Sequence, residues 1–488
     1  MTRAPVSPVV LIAAACGLAA VAAHAGEPTA IEAAGAMEKV LVEAIAKAEK
    51  SVVAIARVRR PGSTIPRESR PDPFGRLSPP PGPVRPLEPT DPDFVPNEYA
   101  TGVVVDARGL IVTAYHVLAE ESDYYVTTHD RKVRKAWVKG ADPRSDLAVL
   151  SIDATDLQPI ALGDASTLRR GQIVITLGNP YAIARDGQVS AGWGIVSNLA
   201  RKAPPTPEES DSTGKKTLHH FGTLIQTDAR LNLGTSGGAL LNLKGQMIGL
   251  TVALAATAGY ETAAGYAISV DDTFRRAVDL LKQGKEVEYG FLGVQPANLR
   301  PAEVVAGLHG VKVDHVESGT PAFRFGIKAD DLITAVNGTP LYEADGLVRE
   351  VGKLPVEAVA RLSVLRDGAP RLVSVTLSKY PVSGRKIVTQ PAAAWRGMKI
   401  DYGTVHVEAE GTAKSSRRFT DEAVVVTEVA EDTAAWAAGV RRGTFISHVG
   451  RTQVRTPKEF HAAAALRSGP VDLRVLGEKK NPILTVGP

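Results

Sequence analysis

Cysteine is nearly missing: Cys16 is the only one among 488 residues. A single thiol excludes an intrachain disulfide framework and any multi-thiolate metal site. No His-Glu-x-x-His pattern or clustered His/carboxylate set appears either, so no metal or other cofactor is expected. Aromatic residues make up only 5% of the chain, and the formal net charge is a slight +4 with no Lys/Arg run interleaved with aromatics. Nucleic acid needs a basic stripe, so that class of partner is set aside. Long apolar runs are scarce too. The candidate from Val9 to Ala23 is brief for a membrane span; with Arg3 before it and Ala23-His24-Ala25 at its end, it reads as a secretory signal cut after Ala25. Export is therefore expected, with lipid attachment through Cys16 as the lesser alternative.

What is present falls into blocks. Residues 29–50 carry apolar positions at helical spacing and run into "SVVAIARV", a β-branched stretch, so a helix entering a strand is expected over 26–59. Residues 60–98 are dominated by proline and read as a long extended loop. From 99 to 284 short apolar runs alternate with Gly, Asp and Asn, the texture of an all-β sandwich or barrel, closed by a helix at "DDTFRRAVDLLKQGK" with Asp271 or Asp272 as its cap. The stretch from Ala200 to His220 reads as a polar surface insertion, which gives His219 and His220 a solvated-loop role. Then comes a repeat. "VKVDHVESGTPAFRFGIKADDLITAVNG" from Val311 aligns without gaps on "VVVTEVAEDTAAWAAGVRRGTFISHVGR" from Val424, sharing Ala322/Ala435, Gly326/Gly439 and Ile333/Ile446. Two copies of one module are expected, at 288–379 and 395–488, separated by residues 380–394.

The candidate chemistry begins at "LNLGTSGGALLNLKGQMIGL". A serine hydroxyl is a weak nucleophile until a base takes its proton, and that base needs an anion to fix its tautomer. Ser236 lies among glycines that free the backbone to aim amides at an oxyanion, though the same residues suit a tight hairpin. His116 in "IVTAYHVL" and Asp146 in "ADPRSDLAVL" each sit at a strand edge in the same all-β block, with Asp142 as a rival carboxylate. The joint order of His, Asp and Gly-flanked Ser favours nucleophilic catalysis over filler.

With those segments in hand, the chain resembles the HtrA (DegP-like) family of trypsin-like serine proteases carrying C-terminal PDZ domains. "TGVVVDARGLIVTAYHVL", "SDLAVL", "GNPY", "GIVS" and "QTDARLNLGTSGGALLNLKGQMIGL" match its motifs in order. The resemblance implies a mainly β chain: a two-barrel trypsin-like protease domain followed by two PDZ-like α+β domains. It implies His116 as general base, Asp146 as its orienter, Ser236 as nucleophile, and an oxyanion hole from the amides of Gly234 and Ser236. It places Val252, Ala253 and Leu254 beside the primary specificity pocket, whose aliphatic walls suit small aliphatic side chains. "YGFLGV" resembles a carboxylate-binding loop, so Gly290, Phe291, Leu292 and Gly293 are expected to hold peptide C-termini; "WRGMKI" is a poorer match in the second module. Unfolded or misfolded polypeptides as substrates, a periplasmic or envelope location, and a homo-oligomer, commonly a trimer, are further implications. Thr235 stands where the family usually has Asn, and Leu233 where Pro is common. A chaperone or PDZ scaffold with a silent protease domain is the alternative.

Overall fold

The computed structural model describes residues 29–60, 88, 96, 98–179, 188–202, 217–232, 234–252, 264–405, 420–477 and 482–488. The expected signal segment, nearly all of the proline-rich stretch, and Leu233, Ala253 and Leu254 lie outside them. No helix among the described residues is long and apolar enough to cross a membrane.

Helix α1 (Ala30–Ala48) starts at a capping box: the Glu32 amide donates to Thr29 Oγ1, and the Glu32 carboxylate accepts from the Thr29 amide. It delivers the chain to β1 (Val52–Arg59). Next come β2 (Glu98–Asp106), β3 (Leu110–Ala114), β4 (Ser122–Thr127), β5 (Val133–Asp142) and β6 (Leu147–Ile152). Hydrogen bonding runs β5-β4-β1-β2-β3-β6 and closes through β5–β6, which leaves the barrel no unpaired edge. A second closed barrel follows: β7 (Ile173–Gly178), β8 (Ser190–Arg201), β9 (Leu224–Thr227), β10 (Ala239–Leu241), β11 (Met247–Val252) and β12 (Gly265–Ser269), joined β10-β11-β12-β9-β8-β7. The sandwich-or-barrel alternative thus resolves to two barrels.

Period-2 alternation decides where the cores sit. In β6, Leu150 packs inside the first barrel with Ile55, Val104 and Ile111, while Leu147 and Val149 face the opposite way. There they meet Ile175 and Leu177 of the second barrel and Phe274 of α2 (Asp272–Lys282) in one core that cements the barrels together. Of the two cap candidates, Asp271 is the one used, accepting from the Phe274 amide at 2.9 Å. The catalytic candidates lie along the seam between the barrels.

The repeat is real in three dimensions. Module 1 pairs β13 (Gly290–Phe291) with β20 (Ser378–Lys379), and builds a sheet from β14 (Val294–Asn298), β15 (Val311–Val316), β16 (Leu332–Val336), β18 (Val359–Arg366) and β19 (Ala369–Thr376), with β17 (Thr339–Pro340) on β16. Its helix is α3 (Ala344–Gly352). In module 2 the sheet is β22 (Met398–Tyr402), β23 (Val424–Val429), β24 (Phe445–Val449), β26 (Val471–Val475) and β27 (Ile483–Val486), with β25 (Thr452–Gln453) on β24 and helix α4 (Pro457–Ala465). The register is shared, Val311 pairing Ile333 as Val424 pairs Ile446.

Between the modules, β21 (Ile387–Val388) adds to the first barrel, pairing with Ala141 and Gly140 of β5. The Gln390 amide donates to Gly284 O at 2.9 Å and Thr389 Oγ1 to Lys139 O at 2.6 Å. A segment read from sequence as a mere separator is therefore bonded to the protease domain, because β4 pairs β5 only over Val133–Ala136, and where β5 runs past β4 an extended chain can satisfy Gly140 and Ala141.

Candidate active site

Strand register brings the histidine and the aspartate together. β3 pairs with β6 through Ala114 opposite Leu147, so His116 leaves one strand beside the residue that enters the other. Tyr115 donates its amide to Asp146 O at 2.9 Å. The His116 amide then bonds Asp146 Oδ1 at 3.0 Å, and His116 Nδ1 meets Oδ2 at 2.8 Å. A carboxylate only accepts, so Nδ1 carries the proton and Nε2 of the neutral ring keeps a lone pair for other work. Asp146 adopts φ 54°, a left-handed conformation that Asp tolerates better than most side chains.

Burial and charge oppose each other at this pair. Burial lowers the imidazole pKa, but the Asp146 charge and hydrogen bond outweigh it and hold His116 above its ordinary value. For Asp146 burial works upward, and the charge and hydrogen bond of His116 reverse it, leaving the carboxyl below the usual range. The Asp146 side chain is 6% exposed and that of His116 35%, so the anion is sheltered while the base opens to solvent.

Asp142, the rival carboxylate, has a different task. It is buried, and its Oδ2 accepts from the Ser145 amide at 2.8 Å, from Ser145 Oγ at 2.6 Å and from the Tyr289 hydroxyl. It organises the loop that presents Asp146, and burial raises its pKa despite those donors. His219 corrects the expectation of a solvated loop: it is 3% exposed, with Nε2 on Ser145 O at 3.0 Å and Nδ1 on Thr223 Oγ1 at 2.9 Å. A carbonyl only accepts, so Nε2 donates and the ring is neutral; burial pushes its pKa down to about 4. A pair of histidines beside a polar stretch carries no sign of burial, since the apolar surface that covers His219 comes from elsewhere in the chain.

Ser236 precedes β10 in a turn held from both barrels. The Thr101 amide of β2 donates to Ser236 O at 2.9 Å, and Thr101 Oγ1 donates to Gly234 O at 2.7 Å. Thr113 Oγ1, three residues before His116, donates to Thr101 O at 2.8 Å. Gly237 has φ 84°, and a Cβ there would collide with Thr101 O and Thr113 Oγ1, so only glycine lets the serine turn approach the histidine strand so closely. Thr235, in the place of the family's Asn, donates its hydroxyl to Asn232 O at 2.7 Å, and its carbonyl accepts from Thr251 Oγ1 at 2.6 Å. Gly234 has φ 91°, and Ser236 is 9% exposed. Val252 follows Thr251 on β11 and is buried; Arg230 is exposed.

In module 1, Gly290 donates its amide to Leu354 O at 2.8 Å, and Phe291 sets its ring edge-on to Tyr380 at 5.9 Å. Leu292 is buried in the module's core, and Gly293 has φ 88° against Thr320. The inter-module segment also reaches the catalytic region: Tyr115 donates its hydroxyl to Arg385 O at 3.0 Å, and Arg385 pairs with Glu120 at 3.2 Å. No periodicity marks these polar contacts between distant stretches.

Comparison with known proteins agrees with this architecture. Residues 100–250 match the model of the trypsin-like peptidase domain, and residues 290–377 that of the PDZ domain. A probable periplasmic serine endoprotease DegP-like of Pseudomonas fluorescens is 31% identical over 395 residues, 79% of this chain and 78% of that protein. The periplasmic serine endoprotease DegP of Escherichia coli strain K12 is 30% identical, covering 74% of this chain and 70% of its own. Among solved structures, the HtrA-type protease AlgW with a tripeptide superposes with a TM-score of 0.51 at 23% identity, over 70% of this chain and 97% of AlgW, a likeness of fold. Two barrels with a His–Asp pair and a glycine-flanked serine on their seam, followed by PDZ modules, make this chain a member of the HtrA/DegP-like family of periplasmic serine endopeptidases.

Proposed function

We propose that the protein cleaves unfolded or misfolded polypeptides through a Ser236–His116–Asp146 triad, and that module 1 captures peptide C-termini. His116 Nε2 takes the Ser236 hydroxyl proton as Oγ attacks the scissile carbonyl, and the imidazolium then protonates the leaving amine. Asp146 stays ionised throughout, holding the tautomer and stabilising the charged ring. The amides of Gly234 and Ser236 stabilise the tetrahedral oxyanion, and hydrolysis of the acyl-enzyme by water, with His116 again as base, restores the serine. Val252 borders the pocket for the residue before the cut, and the family resemblance extends that role to Ala253 and Leu254, outside the described residues; one methylene more or less there changes binding by only about 1–3 kcal/mol, so discrimination among small aliphatic residues is loose. Gly290 to Gly293 make the carboxylate-binding loop, whose donors come from the amides after Gly290, since that of Gly290 is given to Leu354 O, and β14 offers its edge to an extended peptide.

The observation that carries this reading is the two-point contact of His116 with Asp146, which supports a tautomer whose Nε2 is free to act as a base. The test is labelling by a serine-directed covalent probe together with cleavage of unfolded casein. Ser236→Ala is expected to lose labelling and to lower turnover by about 10⁴-fold or more. Equal proteolysis by the variant would overturn the assignment; a parent chain that neither labels nor cleaves would favour the scaffold alternative.

A further inference from the structure

The loop that presents Asp146 also enters module 1. Arg144, two residues before Asp146, is 1% exposed, and its guanidinium lies 3.6 Å from the Tyr380 ring centroid. Its Nε and Nη1 are buried without a hydrogen-bond partner among the described residues. No ion pair meets it there, only the Tyr380 ring and, at 5.7 Å, the Tyr289 ring; Asp142 in the same loop gives its Oδ2 to Ser145 and Tyr289, and its Oδ1 is buried without bonding Arg144. A buried cation with open donors is costly unless something anionic meets it.

Arg144 lines a cavity of about 80 Å³ whose other walls include Leu292, Gly293, Leu347 and Val351. The first two belong to the loop already read as a carboxylate binder; Leu347 and Val351 belong to α3 and are buried apolar residues. Beside the cavity starts β14, the edge strand of the module 1 sheet. The arrangement has the three parts that recognition of a chain end requires: an edge for an extended backbone, an apolar wall for the last side chain, and donors for the terminal carboxylate. Arg144 brings to that set a fixed positive fork, supplied by the protease domain rather than by module 1.

We propose that Arg144 is the charge partner of a polypeptide's terminal carboxylate bound in module 1, so that the chain-end site is completed only by the loop that carries Asp146. This rests on the reading of Gly290–Gly293 as a chain-end site and adds to it a residue from another domain. The occupant is a free C-terminus with an apolar last side chain. Tyr289, which precedes Gly290 and donates its hydroxyl to Asp142, ties the two halves of the site into one bonded unit.

The experiment uses the full chain with Ser236→Ala, so that peptides are not consumed, and fluorescence anisotropy of a labelled decapeptide ending in valine, as the free acid and as the C-terminal amide. The parent is expected to bind the acid about tenfold to hundredfold more tightly than the amide, the range of a charge-assisted hydrogen bond. Arg144→Met is expected to bring acid and amide to nearly equal affinity while leaving amide binding unchanged. A variant that keeps the parent's acid preference overturns the inference and leaves chain-end capture standing. A folded variant that loses acid and amide in equal proportion shows Arg144 to be structural and overturns it as well. If the parent itself does not distinguish acid from amide, the chain-end reading falls and this inference with it. Should Arg144→Met fail to fold, Arg144→Gln is read by the same rule.

Discussion

Before Gly293 in module 1 stands Leu292, buried in the core of its module; before the equivalent Gly397 in module 2 stands Arg396, at φ 49°. The scaffold around these positions is the same. Gly293 and Gly397 both have φ near 90°, each backed by a threonine, Thr320 or Thr433, that would collide with any Cβ. Ala322 donates to Leu292 O as Ala435 donates to Arg396 O. The loops then part. In module 2, Trp395 and Met398 exchange both of their backbone bonds, and Arg396 donates to Val486 O, Gly487 O and Gly469 O, its guanidinium over the Trp395 ring. Trp395 in turn sets its ring edge-on to Phe460 of α4. Module 2 spends its loop on its own structure, while module 1 receives beside its loop Arg144, stacked on Tyr380 but with Nε and Nη1 lacking a hydrogen-bond partner among the described residues. One backbone plan thus carries the proposed chain-end site in one copy and a closed brace in the other, according to whether the polar groups near the loop already have partners.

The brace is fastened through Lys379. This lysine is 2% exposed and contacts Glu286 and Glu288, each at 3.0 Å, and Asp401 of module 2 at 2.9 Å. Burial works against its charge, yet the three carboxylates prevail and hold its pKa well above the ordinary value. Arg324 adds a second bond between the modules, to Asp421 at 2.6 Å. Lys379→Met leaves Glu288 and Asp401 without their cation, while Glu286 keeps Lys386 at 2.5 Å, and its expected cost is about 3–5 kcal/mol. Calorimetry should show module 2 separating from the rest at lower temperature, with the deficit shrinking as the carboxyls protonate in acid. An unchanged melting profile would break the picture of a braced module.

Module 1 is docked differently, on the segment that holds His219. Arg349 of α3 donates to Phe221 O at 3.2 Å, and Arg276 to Lys353 O at 2.9 Å. The His219 pKa is lowered in the fold, so between about 6.5 and 4 the unfolded chain binds more protons, and stability falls as pH falls through that window. With the folded value at about 4, the loss amounts to about 3 kcal/mol once the pH is below it. His219→Gln should flatten the slope of unfolding free energy against pH in that range; a slope equal to the parent's would place the titration elsewhere.

The smallest effects sharpen the comparison most directly. Gly293→Ala and Gly397→Ala impose the same collision in the two modules, and each is expected to cost about 1–3 kcal/mol. Only the first should weaken binding of a free-acid peptide. Equal loss of binding in both would mean that the modules recognise ligand alike.

Much of the proposed catalytic arrangement was legible because its residues sit at strand edges marked by apolar runs and glycine. His116 after "LIVTA", Asp146 before "LAVLSI" and Ser236 before "ALL" each occupy a boundary that β patterning exposes. Asp142 and Asp146 could not be separated at that level, since both lie in one loop. The β3–β6 register separates them, setting Asp146 against His116 and leaving Asp142 to Ser145 and Tyr289. His219 was misread because a neighbour in sequence says little about a cover contributed by other segments.

By itself the sequence determined the mainly β texture, the repeat and the three residue types a serine protease needs, because periodicity and chemical identity are local properties. Tertiary structure alone decided that the inter-module stretch becomes a strand of the first barrel, that Arg144 crosses into module 1, and that Arg396 closes module 2. Those outcomes depend on which polar groups find partners across tens or hundreds of residues, and partnership is a property of the folded whole.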